Sequence, residues 1–298
     1  MNSYLLSVVL GIVEGLTEFL PVSSTAHLRI AEVLLHISLS DGYWKMYSIV
    51  IQLGAILCLP VYFRHRFSKL ISNFPQGERG DRTALTHPLG LTMVAFVVTA
   101  VPAFLLTKII GKHLENLFIM GDSLIAGGIV MWIVDRIHAK AEAAGPGDPK
   151  SLIHTWSMDA MSLGQAVWIG LCQILSAVFP GTSRSMSTIA AGQIAGMSRA
   201  AALEFSFFVS FPTMVMATLY TLFKSITGKG GENPIGVSQI TGSEWGVLAV
   251  GFVVSFIVAY LSVAWFMAWV RKRGFVPFAI YRIFAGVLAL VLANRMAG

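Results

Sequence analysis

Tyr4-Leu-Leu-Ser-Val-Val-Leu-Gly-Ile-Val-Glu-Gly-Leu-Thr-Glu-Phe-Leu20 is apolar enough to be a membrane helix, yet it carries Glu14 and Glu18 and stops at Pro21. A polar elbow follows, Val22-Ser-Ser-Thr-Ala-His27, and then a second, weakly apolar run. The pattern recurs in the second half, where Gln165–Phe179 ends at Pro180-Gly-Thr-Ser-Arg-Ser185. A run of about 15 residues rises roughly 22 Å as a helix, short of the roughly 30 Å hydrocarbon core. Both runs are therefore expected to be re-entrant pairs of half-helices, tolerated only where protein or water satisfies the open backbone.

Composition sets the solvent. Of 298 residues, 55% are hydrophobic and 12% charged, and the mean hydropathy is +0.73. A soluble domain carries about 25% charged residues, so an ordinary water-soluble enzyme is excluded, as are disordered and disulfide-stapled chains. Cys58 and Cys172 lie in apolar stretches and read as small core residues. No Lys or Arg precedes Arg29, so a cleaved signal peptide is not expected. Six further stretches approach span length: Tyr47–Phe63, Leu89–Leu106, Asp122–Val134, Phe205–Phe223, Trp245–Val270 and Ala279–Ala293. The expected fold class is an all-α polytopic membrane protein with six transmembrane helices and two re-entrant helix-loop-helix hairpins.

Loop charges give a direction. Arg64, Arg66, Lys69, Arg79, Arg82, Arg136, Lys140, Lys150, Arg271, Lys272 and Arg273 fall on one side of a six-span chain. Lys45, Lys108, Lys112, Lys224, Lys229 and Arg295 fall on the other. The first set is expected to be cytoplasmic. The net charge of +6 is thus spent on orientation, and no nucleic-acid partner is expected.

A shift of 159 residues lays Gly11, Leu16, Pro21 and Ser24 on Gly170, Leu175, Pro180 and Ser183, with Glu14 meeting Gln173. The same shift lays Ala126-Gly127 on Ala285-Gly286 and Asp135-Arg136 on Asn294-Arg295. Phe96-Val-Val-Thr falls on Phe252-Val-Val-Ser at 156. One offset serving distant blocks points to duplication: residues 1–143 as a first repeat, 144–164 as a cytoplasmic linker, 165–298 as a second. Each repeat holds three spans, an odd number, so the halves enter from opposite faces in an inverted-topology repeat. The two elbows would then meet near the midplane, where such folds place their ligands.

Glu14 and Glu18 are four apart and share one helix face. Adjacent carboxylates at membrane depth bind a hard divalent cation or share a proton, unless they form a solvated helix face. Ser23 or Ser24 is a natural cap for the helix after Pro21, and first-turn N–H groups with the positive dipole end suit phosphate. His27, in that first turn, is held neutral and available as a base. Arg184 needs an anionic partner, either a salt bridge to Glu14 or Glu18 or the oxygens of a phosphoryl group. Arg199 and Glu204 read as boundary residues. No Walker loop, dinucleotide fingerprint or Cys/His cluster is present in the sequence.

Glu14-Gly-Leu-Thr-Glu-Phe-Leu-Pro-Val-Ser-Ser-Thr-Ala-His27 and Phe179-Pro-Gly-Thr-Ser-Arg-Ser185 resemble the two signature motifs of the undecaprenyl-diphosphatase, or bacitracin-resistance, family. Ile51-Gln-Leu-Gly-Ala-Ile, Glu204-Phe-Ser-Phe and Tyr281-Arg-Ile are similar too. The resemblance spans nearly the whole chain. It implies an integral phosphatase that hydrolyses undecaprenyl diphosphate, recycles the carrier for cell-wall synthesis and confers bacitracin resistance. It further implies a multi-pass protein of the bacterial plasma (inner) membrane, among membrane lipids, with its site facing the periplasm or exterior. The family's acidic pair falls on Glu14 and Glu18, its elbow serine and histidine on Ser24 and His27, and its phosphate-binding serine and arginine on Ser183 and Arg184. Two departures stand out. Ala26 replaces a Gly and suits a helical backbone; Met186 replaces a Gly and is expected to narrow or re-shape the pocket beside Arg184.

The expected mechanism has Glu14 and Glu18 holding Mg²⁺ or Ca²⁺ on the diphosphate, while Arg184 and Ser183 grip oxygens. Ser23, Thr25, Thr182 and Ser185 on the same elbows are expected to bind substrate. Ser24 attacks phosphorus or positions the attacking water, and His27 handles the proton. A homodimer is left open. Acid-phosphatase-like lipid phosphatases are a poor match: Lys-x6-Arg-Pro is absent, and no histidine stands at the required spacing after Ser183-Arg184. The alternative from another class is a secondary transporter or lipid flippase, for which inverted repeats and broken helices are typical.

Overall fold

The computed structural model describes residues 2–38, 41–106, 116–145, 151–227 and 241–297. Lys108, Lys112, Lys150, Lys229 and the body of the 144–150 linker stretch lie outside the described residues. Within them the protein is helical: α1 Ser3–Thr17, α2 Ser24–Leu34, α3 Gly42–Ile56, α4 Cys58–Tyr62, α5 Arg64–Ser72, α6 Pro88–Leu105, α7 Leu117–Ala144, α8 Leu163–Val178, α9 Arg184–Ile194, α10 Arg199–Thr227, α11 Gly242–Arg273 and α12 Val276–Ala297. Among the described residues, one bridge of strand type pairs Thr155 with Met197.

Six of these segments are long and apolar enough to cross a membrane: Gly42–Tyr62, Pro88–Leu105, Leu117–Ala143, Arg199–Tyr220, Gly242–Val270 and Val276–Arg295. The chain is an all-helical, multi-pass membrane protein. The first segment breaks between α3 and α4 at Leu57, because Pro60 offers no N–H and its ring crowds the carbonyl one turn back. The third is much longer than the expected Asp122–Val134. The helix runs through Asp135 because that carboxylate is buried and paired: it accepts from Arg199 Nε at 2.7 Å and from the Phe275 amide at 3.0 Å.

The same contacts gather one end of the bundle. Asp135 of α7 meets the turn between α11 and α12, while Arg66 of α5 bonds Asp159 at 2.6 Å and Glu204 at 3.0 Å. All three loops expected on one side are therefore tied together. Arg199 and Glu204 sit in these networks at the start of α10.

α1 and α8 are the short helices, 15 and 16 residues. α1 lies along α11 so closely that a Cβ on Gly15 would stand 2.7 Å from the Ser255 carbonyl oxygen, the small-residue packing by which apolar helices approach in lipid. α8 lies along α6 in the corresponding way. Gly11 abuts Gly251 and Val254, and Gly170 abuts Ala95 and Val98, so the glycines stand 159 residues apart and their partners 156. α3 packs on both α11 and α10, α10 on α6, and α7 on α12.

Candidate active site at the two elbows

Each short helix ends in a Pro-containing elbow and hands over to an 11-residue helix. Ser23 caps α2 by accepting from the Ala26 amide, and Ser183 caps α9 by accepting from the Met186 amide at 3.3 Å. Both serines hold the left-handed backbone, φ 73° and 70°, a conformation rare outside glycine. The cap is thus Ser23 and not Ser24, and the caps match at an offset of 160. The second elbow takes its extra residue at Gly181, φ +92°, where a Cβ would stand 2.5 Å from the Met120 carbonyl oxygen.

The elbows touch. The Ser185 hydroxyl donates to the Leu20 carbonyl at 2.9 Å and lies 3.1 Å from that of Ser183. Arg184 Nη2 reaches Glu18 Oε1 at 3.2 Å, and its Nη1 donates to the Ser206 carbonyl. The Ser24 hydroxyl donates to the other oxygen, Glu18 Oε2, at 2.5 Å. Glu18 therefore receives from both elbows at once. The salt bridge weighed as an alternative for Arg184 is formed, and the guanidinium's Nε is buried without a partner.

Glu14 and Glu18 are 0% and 5% exposed, so a solvated helix face is ruled out. Both Glu14 oxygens are buried with no hydrogen-bond partner. That buried carboxylate, one turn from Glu18, has the oxygen donors a hard cation takes. Among the described residues no group of three or more His, Cys, Asp or Glu side chains forms a closed protein cage.

His27 is not paired with Ser24. Its Nδ1 lies 2.8 Å from the Ser23 carbonyl, which can only accept, so Nδ1 carries the proton. Nε2 then accepts from the Tyr281 hydroxyl at 2.7 Å, and the two rings stack at 5.4 Å. The proton acceptor nearest Ser24 is Glu18. Thr25 is exposed on the first turn of α2, and Thr182 is half-buried in the second elbow. Ala26 lies in a helical turn and is buried, as its size allows. Met186 packs beneath the second elbow. It is buried in the core with Phe19, Val22 and Ile189, because the first turn of α9 turns that position toward Gly127.

Two residues of α12 were missed as site residues. Tyr281 orients His27, and Arg282 reaches the carbonyl oxygens of both elbows. An arginine inside the sixth apolar run was the available signal.

Fold and site together define a multi-pass, all-helical membrane protein whose interrupted helices converge a carboxylate, a serine hydroxyl and a guanidinium. The chain belongs to the bacitracin resistance protein BacA family, whose model matches residues 7–288. It is similar to undecaprenyl-diphosphatase of Koribacter versatilis (strain Ellin345), 65% identical over 296 residues, with 99% of this chain and 100% of that protein covered. It is also similar to the undecaprenyl-diphosphatases of Caldanaerobacter subterraneus subsp. tengcongensis, at 39% over 95% and 94% of the two chains, and of Bradyrhizobium sp. (strain ORS 278), at 38% over 98% and 97%.

Proposed function

We propose that this protein hydrolyses undecaprenyl diphosphate to undecaprenyl phosphate and inorganic phosphate. The product is the carrier lipid reused in cell-wall synthesis, and its regeneration confers bacitracin resistance. The carrying observation is Glu18, bonded simultaneously by Ser24 of one elbow and Arg184 of the other. The transporter reading is not favoured: a serine set 2.5 Å from a buried carboxylate beside an arginine is a constellation for phosphoryl transfer, and the relatives named above carry a hydrolase's name.

In this mechanism Ser24 Oγ bonds the terminal phosphorus, the bridging P–O bond breaks, and undecaprenyl phosphate leaves. The hydroxyl proton passes to Glu18. Arg184 moves its fork from Glu18 onto phosphoryl oxygens, with Ser183, Ser185, Ser23, Thr25 and Thr182 supplying hydroxyl and first-turn N–H donors. Water then displaces Ser24 from phosphorus, its proton going to His27 Nε2 as the Tyr281 hydroxyl releases that nitrogen, while Glu18 returns the first proton to Ser24. Glu14 and Glu18 would hold the divalent cation, Mg²⁺ or Ca²⁺, which neutralises charge on the diphosphate when bound.

The two elbows belong, in this reading, to two inverted repeats, residues 1–143 and 165–298, whose exchanged helix pairings support the duplication. The short lengths of α1 and α8 support re-entry. The cluster of basic loops supports a cytoplasmic end in the inner membrane, with the site opening to the periplasm. Phosphate release from undecaprenyl or farnesyl diphosphate by the purified protein in detergent, with and without chelator, tests the activity. Lipid or solute flux in proteoliposomes without any phosphate release would sink it. Trapping a labelled phosphoserine at Ser24 tests the covalent route; full turnover with no label places the attack on a Ser24-bound water.

A further inference from the structure

The proposed reaction leaves unused the most deeply buried charge of α12. Arg282 is 0% exposed in the middle of an apolar helix. Its guanidinium donates to four carbonyl oxygens: Nη1 to Pro21 at 2.9 Å, and Nη2 to Thr182 at 2.9 Å, Gly181 at 3.1 Å and Ser123 at 3.2 Å. Pro21 lies in the first elbow, Gly181 and Thr182 in the second, and Ser123 in α7. One planar group thus spans both elbows and the helix behind them.

The slot it occupies is built for it. Gly127 and Gly128 face Arg282 from α7, and a Cβ on Gly127 would stand 2.3 Å from Nη2. Buried guanidinium groups ordinarily take a carboxylate, because carbonyl oxygens satisfy N–H donors without cancelling the charge. Among the described residues every recorded acceptor of Arg282 is a carbonyl, and its Nε is buried without a partner. A full positive charge is therefore held directly behind the turn that carries Ser24 and Arg184.

We propose that Arg282 is a positioning residue for diphosphate hydrolysis: it clamps the two elbows at a fixed spacing, and its uncancelled charge favours the bound diphosphate anion. The proposal rests on the hydrolase reading above. It separates two contributions. The clamp aims Ser24 and Arg184 at one phosphoryl group, where an error of about 1 Å costs on the order of 10²-fold in rate. The charge acts on substrate binding.

The test uses the full chain in detergent, with farnesyl diphosphate as the probe, and three variants. Arg282→Met removes charge and clamp, and kcat/KM is expected to fall on the order of 10²-fold, with kcat down and KM up. Arg282→Lys keeps a cation but cannot serve four carbonyls, so KM returns toward the parent value while kcat stays low. Gly127→Ala keeps the arginine and displaces it, so kcat falls with KM little changed. Thermal unfolding is followed for each, and kinetics are referred to the folded fraction. Should Arg282→Met not fold, the other two variants carry the test. Unchanged constants in Arg282→Lys and Gly127→Ala, or losses that follow only the unfolded fraction, would overturn the proposal. Failure of the hydrolase reading looks different: the parent protein releases no phosphate, or Ser24→Ala turns over normally.

Discussion

Pro21–Ser24 and Pro180–Arg184 turn the chain by the same device. Each follows a short apolar helix, each is capped by a serine in the left-handed region, and each opens an 11-residue helix. They differ at the first helical position, Ser24 in one and Arg184 in the other, and both side chains converge on Glu18. At the 159-residue offset, Glu14 faces Gln173 and Glu18 faces Ala177, so the second elbow has no carboxylates of its own. Shared backbone geometry supplies two anion-receptive helix ends. Divergent side chains turn them into one centre, with acid and hydroxyl from the first elbow and cation from the second.

Glu18→Gln strikes where the elbows meet and carries the largest expected effect. It removes the base that takes the Ser24 proton and the charge that pairs with Arg184, and phosphate release should drop about 10³-fold or more. An equal loss in the Ala177→Gly control would break the asymmetry. Arg184→Lys comes next, at roughly 10²-fold, because a point charge cannot reproduce a planar fork; Arg184→Ala should be worse, and parity of the two in a phosphate-release assay would deny the fork.

Stability probes the backbone half of the comparison. Gly181→Ala forces a Cβ onto the Met120 carbonyl at positive φ and should cost about 1–3 kcal/mol in thermal or denaturant unfolding. The first elbow, one residue shorter, has no counterpart of Gly181. The smallest effect is assigned to Tyr281→Phe, which keeps the stacked ring and loses one hydrogen bond to His27. A several-fold decline in kcat is expected, with the ¹⁵N chemical shift of His27 Nε2 moving as its hydrogen bond is lost; an unchanged kcat and an unchanged Nε2 shift would release Tyr281 from its role.

Much of this was legible in the sequence, for identifiable reasons. Apolar run lengths mark six spans, and the interruptions at Pro21 and Pro180 mark the elbows, because proline and membrane solvent impose local, additive constraints. The carboxylates and Arg184 were legible because charge in an apolar run is costly. What escaped depends on contacts far apart in the chain. The helix through Asp135 continues only because Arg199 and the Phe275 amide meet it. His27 turns from Ser24 because Tyr281, 254 residues away, holds it. Capping chemistry left Ser23 and Ser24 equivalent, and only the backbone torsion at Ser23 separates them.

α3 packs against α10 and α7 against α12; on the proposed division into two repeats, each is a helix of one half meeting its counterpart in the other. Separate subunits meet through such self-complementary contacts when they form two-fold dimers. Written into a single polypeptide, the association no longer depends on encounter in the bilayer. The tether fixes the effective concentration of each half for the other, however few molecules the cell makes. On that reading neither half needs to be self-sufficient, because the other is permanently beside it.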